Sequence, residues 1–213
     1  MINSILETLY MLIVSMIVAC IIGIPIGISL SVTKKNGILE KIWYHKFVNI
    51  LIINITRSIP FVILIVLLIP LSRAIVGKSY GTTAFIIPLS IATAPFISRI
   101  IEGALNEVSY GLIEMGLSIG AKPKDIILKI LIPEAMPSII NGLTLTLISL
   151  VSYTAIAGII GGGGLGNLAI IEGYQRGDKE LMYKATICII LIVQIIQFIG
   201  TKLVRNIEKK RGK

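Results

Sequence analysis

The sequence predicts an all-α integral membrane protein, a single domain (residues 1–213) with five transmembrane helices. The chain is 55% hydrophobic and only 15% charged, whereas a soluble domain usually carries about 25% charged residues. Its apolar residues also come in long blocks, several of which reach the roughly 20 residues that a helix needs to cross the hydrocarbon core. Composition and block length together therefore predict a helical membrane bundle.

The five predicted spans cover residues 9–32, 47–70, 83–101, 138–160 and 182–203. In the first span small residues recur at every fourth position, so another helix can approach closely there. Those small residues are Ser15, Ala19, Gly23 and Gly27. Polar residues and Pro60 interrupt the second span, and Arg57 is a functional candidate because a charge at membrane depth is costly. Membrane helices tolerate prolines such as Pro88 and Pro95 in the third span. A glycine-rich run (residues 161–166) and a polar loop through Glu180 separate the last two spans.

The distribution of basic residues predicts the orientation of the chain. Fourteen of the 20 Lys and Arg residues lie on the side that carries residues 102–137 and the C-terminus. Cytoplasmic loops hold the excess of Lys and Arg, so we expect that side in the cytoplasm and the N-terminus outside. The net charge of +9 thus fits membrane topology, and no basic helix with interleaved aromatic residues suggests a nucleic-acid partner.

Few residues in the sequence could support catalysis or bind a metal. His45 is the single histidine, and Cys20 and Cys188 lie far apart in apolar blocks, so neither a metal site nor a catalytic site is expected. The glycine-rich run is not followed by Lys-Ser or Lys-Thr, which a phosphate-binding loop requires. We therefore expect a chain that is not an enzyme and binds no cofactor.

The segment from residue 102 to residue 137 is too polar to span a membrane and is predicted to form two short helices. Gly120 to Pro123 separates them, because Gly favours a helix end and Pro a first turn, and we expect Pro133 to end the second. The apolar residues at helical spacing are Val108, Leu112, Met115 and Ile119, then Ile127, Ile130 and Leu131. Two short helices with an apolar stripe predict a projection that docks into a groove on a partner.

This segment resembles the signature loop of bacterial ABC importer permeases, which reads Glu, two small residues, three free positions, Gly, nine free positions and Ile-x-Leu-Pro. The matching residues are Glu114, Met115, Gly116, Gly120, Ile130, Ile132 and Pro133, with Met115 and Ile132 as mild departures. The resemblance implies that the segment couples this chain to an ATPase. Glu114 would orient the docked loop, Gly120 would allow its turn and Pro133 would fix its exit. The expected coupling residues are Glu114, Gly116, Gly120, Ala121, Ile130, Ile132 and Pro133.

Further matches resemble the methionine-importer permease family. They are Arg-Ser-Ile-Pro-Phe (residues 57–61), Ala-Pro-Phe-Ile (94–97) with Arg99, and Gly-Gly-Leu-Gly (163–166). This resemblance implies a homodimer in membrane lipid, a pair of cytoplasmic ATPase subunits that bind ATP and Mg, and an extracytoplasmic methionine-binding protein. An ABC permease for another amino acid or an osmolyte such as glycine betaine is the alternative. A stand-alone secondary transporter would require intramembrane acids, His or an inverted repeat, which the sequence does not display.

The translocation path is predicted from polar and small residues within the spans. Gly142, Thr146, Ser149 and Tyr153 share one face of the fourth span and could line a hydrated path, although such residues also join helix to helix. The glycine-rich run could flex or approach the binding protein, or form a plain turn. The candidate path residues are Arg57, Thr146, Ser149, Tyr153, Gly163, Gly164 and Gly166.

Overall fold

The computed structural model describes residues 1–210, except for the side chains of residues 51 and 52. Arg211 and Lys213 of the basic tail lie outside the described residues. The described chain is a bundle of helices with no strand, so the predicted fold class is confirmed. The helices are α1 (Ile2–Thr33), α2 (Ile42–Ser58), α3 (Phe61–Val76), α4 (Thr82–Asn106), α5 (Tyr110–Ser118), α6 (Pro123–Gly162), α7 (Gly164–Asn167 and Leu168–Gln175) and α8 (Lys179–Lys210).

Four of these helices are long and apolar enough to cross a membrane, namely α1, α4, α6 and α8. The pair α2 and α3 also passes as one span, but the two helices meet at a bend of 108°. Counted this way, the described residues hold up to five spans, the predicted number. The second predicted span is therefore broken rather than continuous. Ile59 is extended (φ −86°, ψ 124°), because a residue that precedes proline is driven out of the helical region.

The centre of the bundle is the contact between α1 and α4. A Cβ atom added at Gly23 would lie 2.7 Å from the carbonyl oxygen of Ala94, and one at Gly27 only 2.5 Å from that of Ser98. Ser15 and Ala19 of the same stripe are fully buried. Ser98 also donates a hydrogen bond to the carbonyl of Gly23 at 3.1 Å. The predicted small-residue stripe is thus the packing face of α1, and it brings the two backbones together.

The expectation that Pro133 ends a short helix is wrong. A single helix runs from Pro123 to Gly162, with a π-helical turn at Ile127–Leu131. In that turn the N–H of Ile132 donates to the carbonyl of Ile127, five residues back instead of four. A wider turn just before proline accommodates a ring and a missing N–H that would break a regular helix. Pro133 therefore lies inside a helix that continues into the predicted fourth span.

The segment between the fourth and fifth spans is also more ordered than a glycine-rich run followed by a polar loop. Helix α7 begins at Gly164 and its π-helical part ends at Gln175. It packs against the start of α8, where a Cβ atom on Gly173 would lie 2.7 Å from Cβ of Met182. Leu165, Ala169 and Ala185 form a buried apolar contact between α7 and α8. This contact stabilises α7 as a helix although its first residues are rich in glycine.

The two ends of the bundle differ in composition. We call one the basic end, after its lysines, and the other the glycine end, after the glycine-rich run that lies there. At the basic end Lys34 Nζ lies 2.6 Å from Asn106 Oδ1 and Ser138 Oγ lies 2.7 Å from Glu107 Oε2. The C-terminal part of α8 reaches this end, where Glu208 lines a cavity of about 390 Å³ with Glu107. At the glycine end the start of α1 contacts residues 163–165. The two termini therefore lie at opposite ends.

Candidate functional site

The turn at the basic end is built by the backbone of α5. Gly120 has φ +74°, a conformation that costs other L-residues about 1–2 kcal/mol. The N–H of Ala121 donates to the carbonyl of Gly116 at 3.0 Å, and the N–H of Gly120 donates to that of Leu117 at 2.9 Å. This pair of bonds is the Schellman motif that commonly ends a helix at glycine. Gly120 and Ala121 thus lie in the turn between α5 and α6, where the sequence predicts a turn.

Gly116 holds α5 against the start of α6. A Cβ atom on Gly116 would lie 3.0 Å from Cδ1 of Ile130 and 3.2 Å from Cγ1 of Ile126. Ile126 is fully buried, and Ile130 and Ile132 pack at the edge of the same core cluster. These contacts place three of the predicted coupling residues inside the projection, where they fix its shape.

Other residues of the projection point away from the bundle. Ile119 is 77% exposed, Met115 55% and Leu117 47%. Val108 and Leu112 of the predicted stripe are half-buried, so the stripe divides into an inner part and an exposed part. Glu114 is exposed as well, and its carboxylate has no hydrogen-bond or ion-pair partner within residues 1–210. The projection presents an apolar tip beside a free acid.

A groove between α4 and α6 contains three of the seven predicted path residues, Thr146, Ser149 and Tyr153. Its volume is about 180 Å³, and its lining is Thr93, Phe96, Ile100, Leu145, Thr146, Ser149 and Tyr153. The hydroxyl of Thr146 donates to the carbonyl of Gly142 at 2.9 Å, and that of Ser149 to the carbonyl of Leu145 at 3.0 Å. Gly142 lies against Ile100, so its small size allows α6 to pack on α4. The hydroxyl residues Thr146, Ser149 and Tyr153 line the groove.

Two aromatic contacts connect the broken span to this groove. The guanidinium carbon of Arg57 lies 4.9 Å from the ring centroid of Phe96, a cation–π contact. The ring of Phe61 stacks on Tyr153 at a centroid distance of 4.2 Å. Arg57 is exposed and is in none of the ion pairs among the described residues. The bend at Pro60 therefore brings Arg57 and Phe61 to the groove that Tyr153 lines.

Gly163, Gly164 and Gly166 do not border the groove. The N–H of Gly164 donates to Glu7 Oε2 at 2.7 Å, and the N–H of Leu165 donates to Thr8 Oγ1 at 2.8 Å. A Cβ atom on Gly166 would lie 2.3 Å from the carbonyl oxygen of Ala155. These glycines let the chain turn tightly against α1 and α6. Glu7 and Thr8 cap the start of α7 there, a role that no local pattern signals.

A polar cluster at the break was also missed from the sequence. Arg99 Nη1 lies 2.7 Å from Glu102 Oε2, and Nη2 donates to Asn54 Oδ1 at 2.9 Å and to Asn49. The spacing of Arg99 and Glu102, three residues apart on a helix, was the available signal. The cluster ties α2 to α4, so it helps to hold the bend that carries Arg57. Within residues 1–210 no group of three or more His, Cys, Asp or Glu side chains is placed to hold a metal ion.

Comparison with known proteins agrees with this architecture. The family described as binding-protein-dependent transport system inner membrane component matches residues 23–213. The probable D-methionine transport system permease protein MetI of Vibrio cholerae is 47% identical over 96% of this chain and 90% of its own length. The methionine import system permease protein MetP of Bacillus subtilis is 48% identical over 98% and 93%.

Solved structures give the same result. A chain from the MetNI methionine ABC transporter, crystallised in inward-facing conformations, superposes with a TM-score of 0.92 at 43% identity, covering 94% of this chain and 93% of that one. The fold, the groove and the projection at the basic end thus occur in a chain that is similar throughout to known importer permeases. The chain belongs to the family of binding-protein-dependent transport system inner membrane components.

Proposed function

We propose that this chain is the permease subunit of an ATP-driven importer that carries methionine, as the D- or L-isomer or both, across a bacterial plasma membrane. The observation that carries the proposal is the 47–48% identity with methionine permeases over nearly the whole chain. Two copies of the chain would form the pathway, a pair of separate ATPase subunits would bind ATP and Mg, and an extracytoplasmic binding protein would deliver the substrate. The basic end faces the cytoplasm and the N-terminus lies outside, in keeping with the excess of Lys and Arg at the basic end.

The projection at the basic end docks into the ATPase. Its exposed residues Met115 and Ile119 supply an apolar tip, and Glu114 beside them supplies a polar contact. Gly116, Gly120, Ala121, Ile130 and Ile132 give the tip its shape. Because the second docking helix continues into the span as one helix from Pro123 to Gly162, a displacement of the tip moves the span directly. Pro133 therefore lies within the element that transmits motion.

The groove between α4 and α6 forms part of the translocation path. Its walls are mostly apolar side chains, which suit a thioether, while the hydroxyls of Thr146, Ser149 and Tyr153 lie along it. Arg57 at its edge forms no ion pair within residues 1–210, so its guanidinium can contact the carboxylate of a passing amino acid. Gly163, Gly164 and Gly166 support the outer end of the path by fixing the turn against α1.

Uptake of radiolabelled methionine into proteoliposomes tests this function. The vesicles hold this chain with its ATPase, and the binding protein and ATP are supplied on their respective sides. We expect ATP-dependent accumulation of methionine, reduced in Arg57→Gln but not in Arg73→Gln, which changes an exposed arginine of α3 outside the groove. Accumulation without ATP would contradict an ABC importer. ATP-dependent accumulation of glycine betaine but not methionine would contradict the substrate.

A further inference from the structure

The segment between α1 and the broken span has a composition unlike the rest of the basic end. Residues 34–47 carry four lysines and one acid, together with Trp43, Tyr44 and Phe47. Trp43 is 78% exposed, and its ring stacks on that of Phe47 at a centroid distance of 5.7 Å. Exposed aromatic rings beside lysines are typical of the boundary between hydrocarbon and headgroups.

The backbone holds this segment in a fixed place against α1. The N–H of Leu39 donates to the carbonyl of Val32 at 2.9 Å, and the N–H of Lys41 to that of Thr33 at 3.0 Å. A ring nitrogen of His45 lies 3.0 Å from the carbonyl oxygen of Leu30. The aromatic residues and lysines are therefore presented on a built surface rather than on a free loop.

The lysines of this surface lack internal counter-charges. The side chains of Lys35, Lys41 and Lys46 form no hydrogen bond or ion pair within residues 1–210. Glu40, the acid of the segment, instead accepts a hydrogen bond from the N–H of Asn36 at 2.9 Å. Three cations in one segment without an internal partner are available to an anionic group from outside the chain.

The position of the segment identifies that partner as a membrane lipid. The helix that begins at Ile42 continues without a break to Ser58, so Trp43 and Lys46 lie where the chain enters the apolar span. A docked protein would need the aromatic rings to face the aqueous side, whereas these rings lie at the start of the helix that leads into the apolar span. We propose that Lys35, Lys41 and Lys46, with Trp43, form a binding site for the headgroup of an anionic phospholipid such as phosphatidylglycerol. The site does not depend on which substrate the chain transports.

Trp43 is the single tryptophan of the chain, so its fluorescence reports on this site directly. The complete transporter is reconstituted in nanodiscs of fixed phosphatidylcholine and phosphatidylglycerol content, with bromine on the acyl chains of one lipid or the other. The fluorescence of a complex that carries Trp43→Phe is subtracted from that of the wild type, which removes the signal of tryptophans in the other subunits. We expect brominated phosphatidylglycerol to quench Trp43 several-fold more than brominated phosphatidylcholine, since each lysine near an anionic surface contributes roughly a fivefold preference.

Variants with lysines changed to glutamine distinguish a lipid site at this segment from a general attraction of the basic protein to anionic lipid. The K35Q/K41Q/K46Q variant is expected to abolish the preference, while K78Q/K179Q/K184Q, with three lysines changed at the glycine end, retains it. Equal quenching by the two lipids in the wild type would overturn the proposal. So would a preference that survives K35Q/K41Q/K46Q. Quenching by neither lipid would also overturn it and would mean that a protein subunit covers Trp43.

Discussion

The two ends of the bundle both reverse the chain at glycines with positive φ, but they do so in opposite surroundings. Gly120 at the basic end has φ +74°, and a Cβ atom there would meet nothing within 4 Å. Gly164 at the glycine end has φ +76°, and its Cβ would lie 2.6 Å from Thr8 Oγ1. One glycine is required only for its backbone conformation, while the other is required for conformation and for space.

This difference shows which of the two turns is enclosed by other parts of the chain. At the glycine end the turn is closed by contacts with α1 and α6, and Gly164, Leu165 and Gly166 are buried. At the basic end the turn rests on two local hydrogen bonds, and Ile119 beside it is 77% exposed. An end that leaves large apolar residues in the open is suited to a partner. The turn at the glycine end should therefore tolerate few substitutions, and the exposed positions of the turn at the basic end should tolerate many without unfolding.

Gly166→Ala should have the largest effect on stability. The new Cβ would lie 2.3 Å from the carbonyl oxygen of Ala155 and 2.4 Å from its Cα, and backbone cannot move aside as a side chain can. We expect a loss of about 1–3 kcal/mol or more from overpacking, seen as a lower melting temperature in nanodiscs. Gly103→Ala is the matched control, because its Cβ would meet nothing within 4 Å. Equal melting of both variants would refute the close contact.

Glu7→Ala should have the next largest effect. It removes the acceptor for the Gly164 N–H, and a buried donor without a partner costs about 1–3 kcal/mol. Glu7→Gln retains a carbonyl oxygen, so its melting temperature should fall less. Glu180→Ala changes a highly exposed acid near the start of α8 and serves as the control. If Glu7→Gln destabilises as much as Glu7→Ala, the cap is not the reason for the loss.

Gly120→Ala should destabilise only modestly. The cost is about 1–2 kcal/mol for an alanine at positive φ, and the new Cβ would meet no other atom within 4 Å. Gly120→Asn should cost less, because asparagine tolerates this conformation better than alanine does. The comparison of the two melting temperatures measures the backbone contribution alone. A loss as large as that of Gly166→Ala would mean that the basic end is as tightly packed as the glycine end.

Ile119→Asp should leave the stability of the permease almost unchanged. Substitutions at exposed positions usually change the free energy of unfolding by less than about 0.5 kcal/mol. The same variant should lose stimulation of the ATPase by the permease, since a charge replaces the apolar tip. ATPase activity and melting temperature are measured on the same preparation. Unchanged activity would show that Ile119 lies outside the docking contact.

Local features of this fold were predictable from the sequence, and their success has a physical reason. The small-residue stripe of α1 follows directly from the helical repeat. The turn at Gly120 follows from the preference of glycine for positive φ and of proline for a first turn. Pro88 and Pro95 lie inside α4 as expected. Each of these inferences depends only on residues within one or two turns of each other.

The errors have two sources, a local change in the helical hydrogen-bond pattern and contacts between residues distant in sequence. Pro60 breaks its span while Pro133 does not, although both are prolines in apolar surroundings; a π-helical turn before Pro133 makes the difference. Glu7 and Gly164 are 157 positions apart, so no local pattern pairs them. For the candidate path, the residue types indicated Arg57, Thr146, Ser149 and Tyr153. Only the packing of α4 on α6 and the contact between Arg57 and Phe96 show that these residues meet at one groove.

Docking of the ATPase at the basic end is tested most directly by co-purification. The tagged permease is purified with its ATPase in one detergent as wild type, Gly120→Asp and Gly77→Asp. Gly77 is the matched control, because it also has positive φ (+77°) and open space around its Cβ but lies near the opposite end. We expect Gly120→Asp to lose the ATPase while remaining folded, and Gly77→Asp to keep it. Retention of the ATPase by Gly120→Asp, or its absence from the wild type, would contradict docking at this projection.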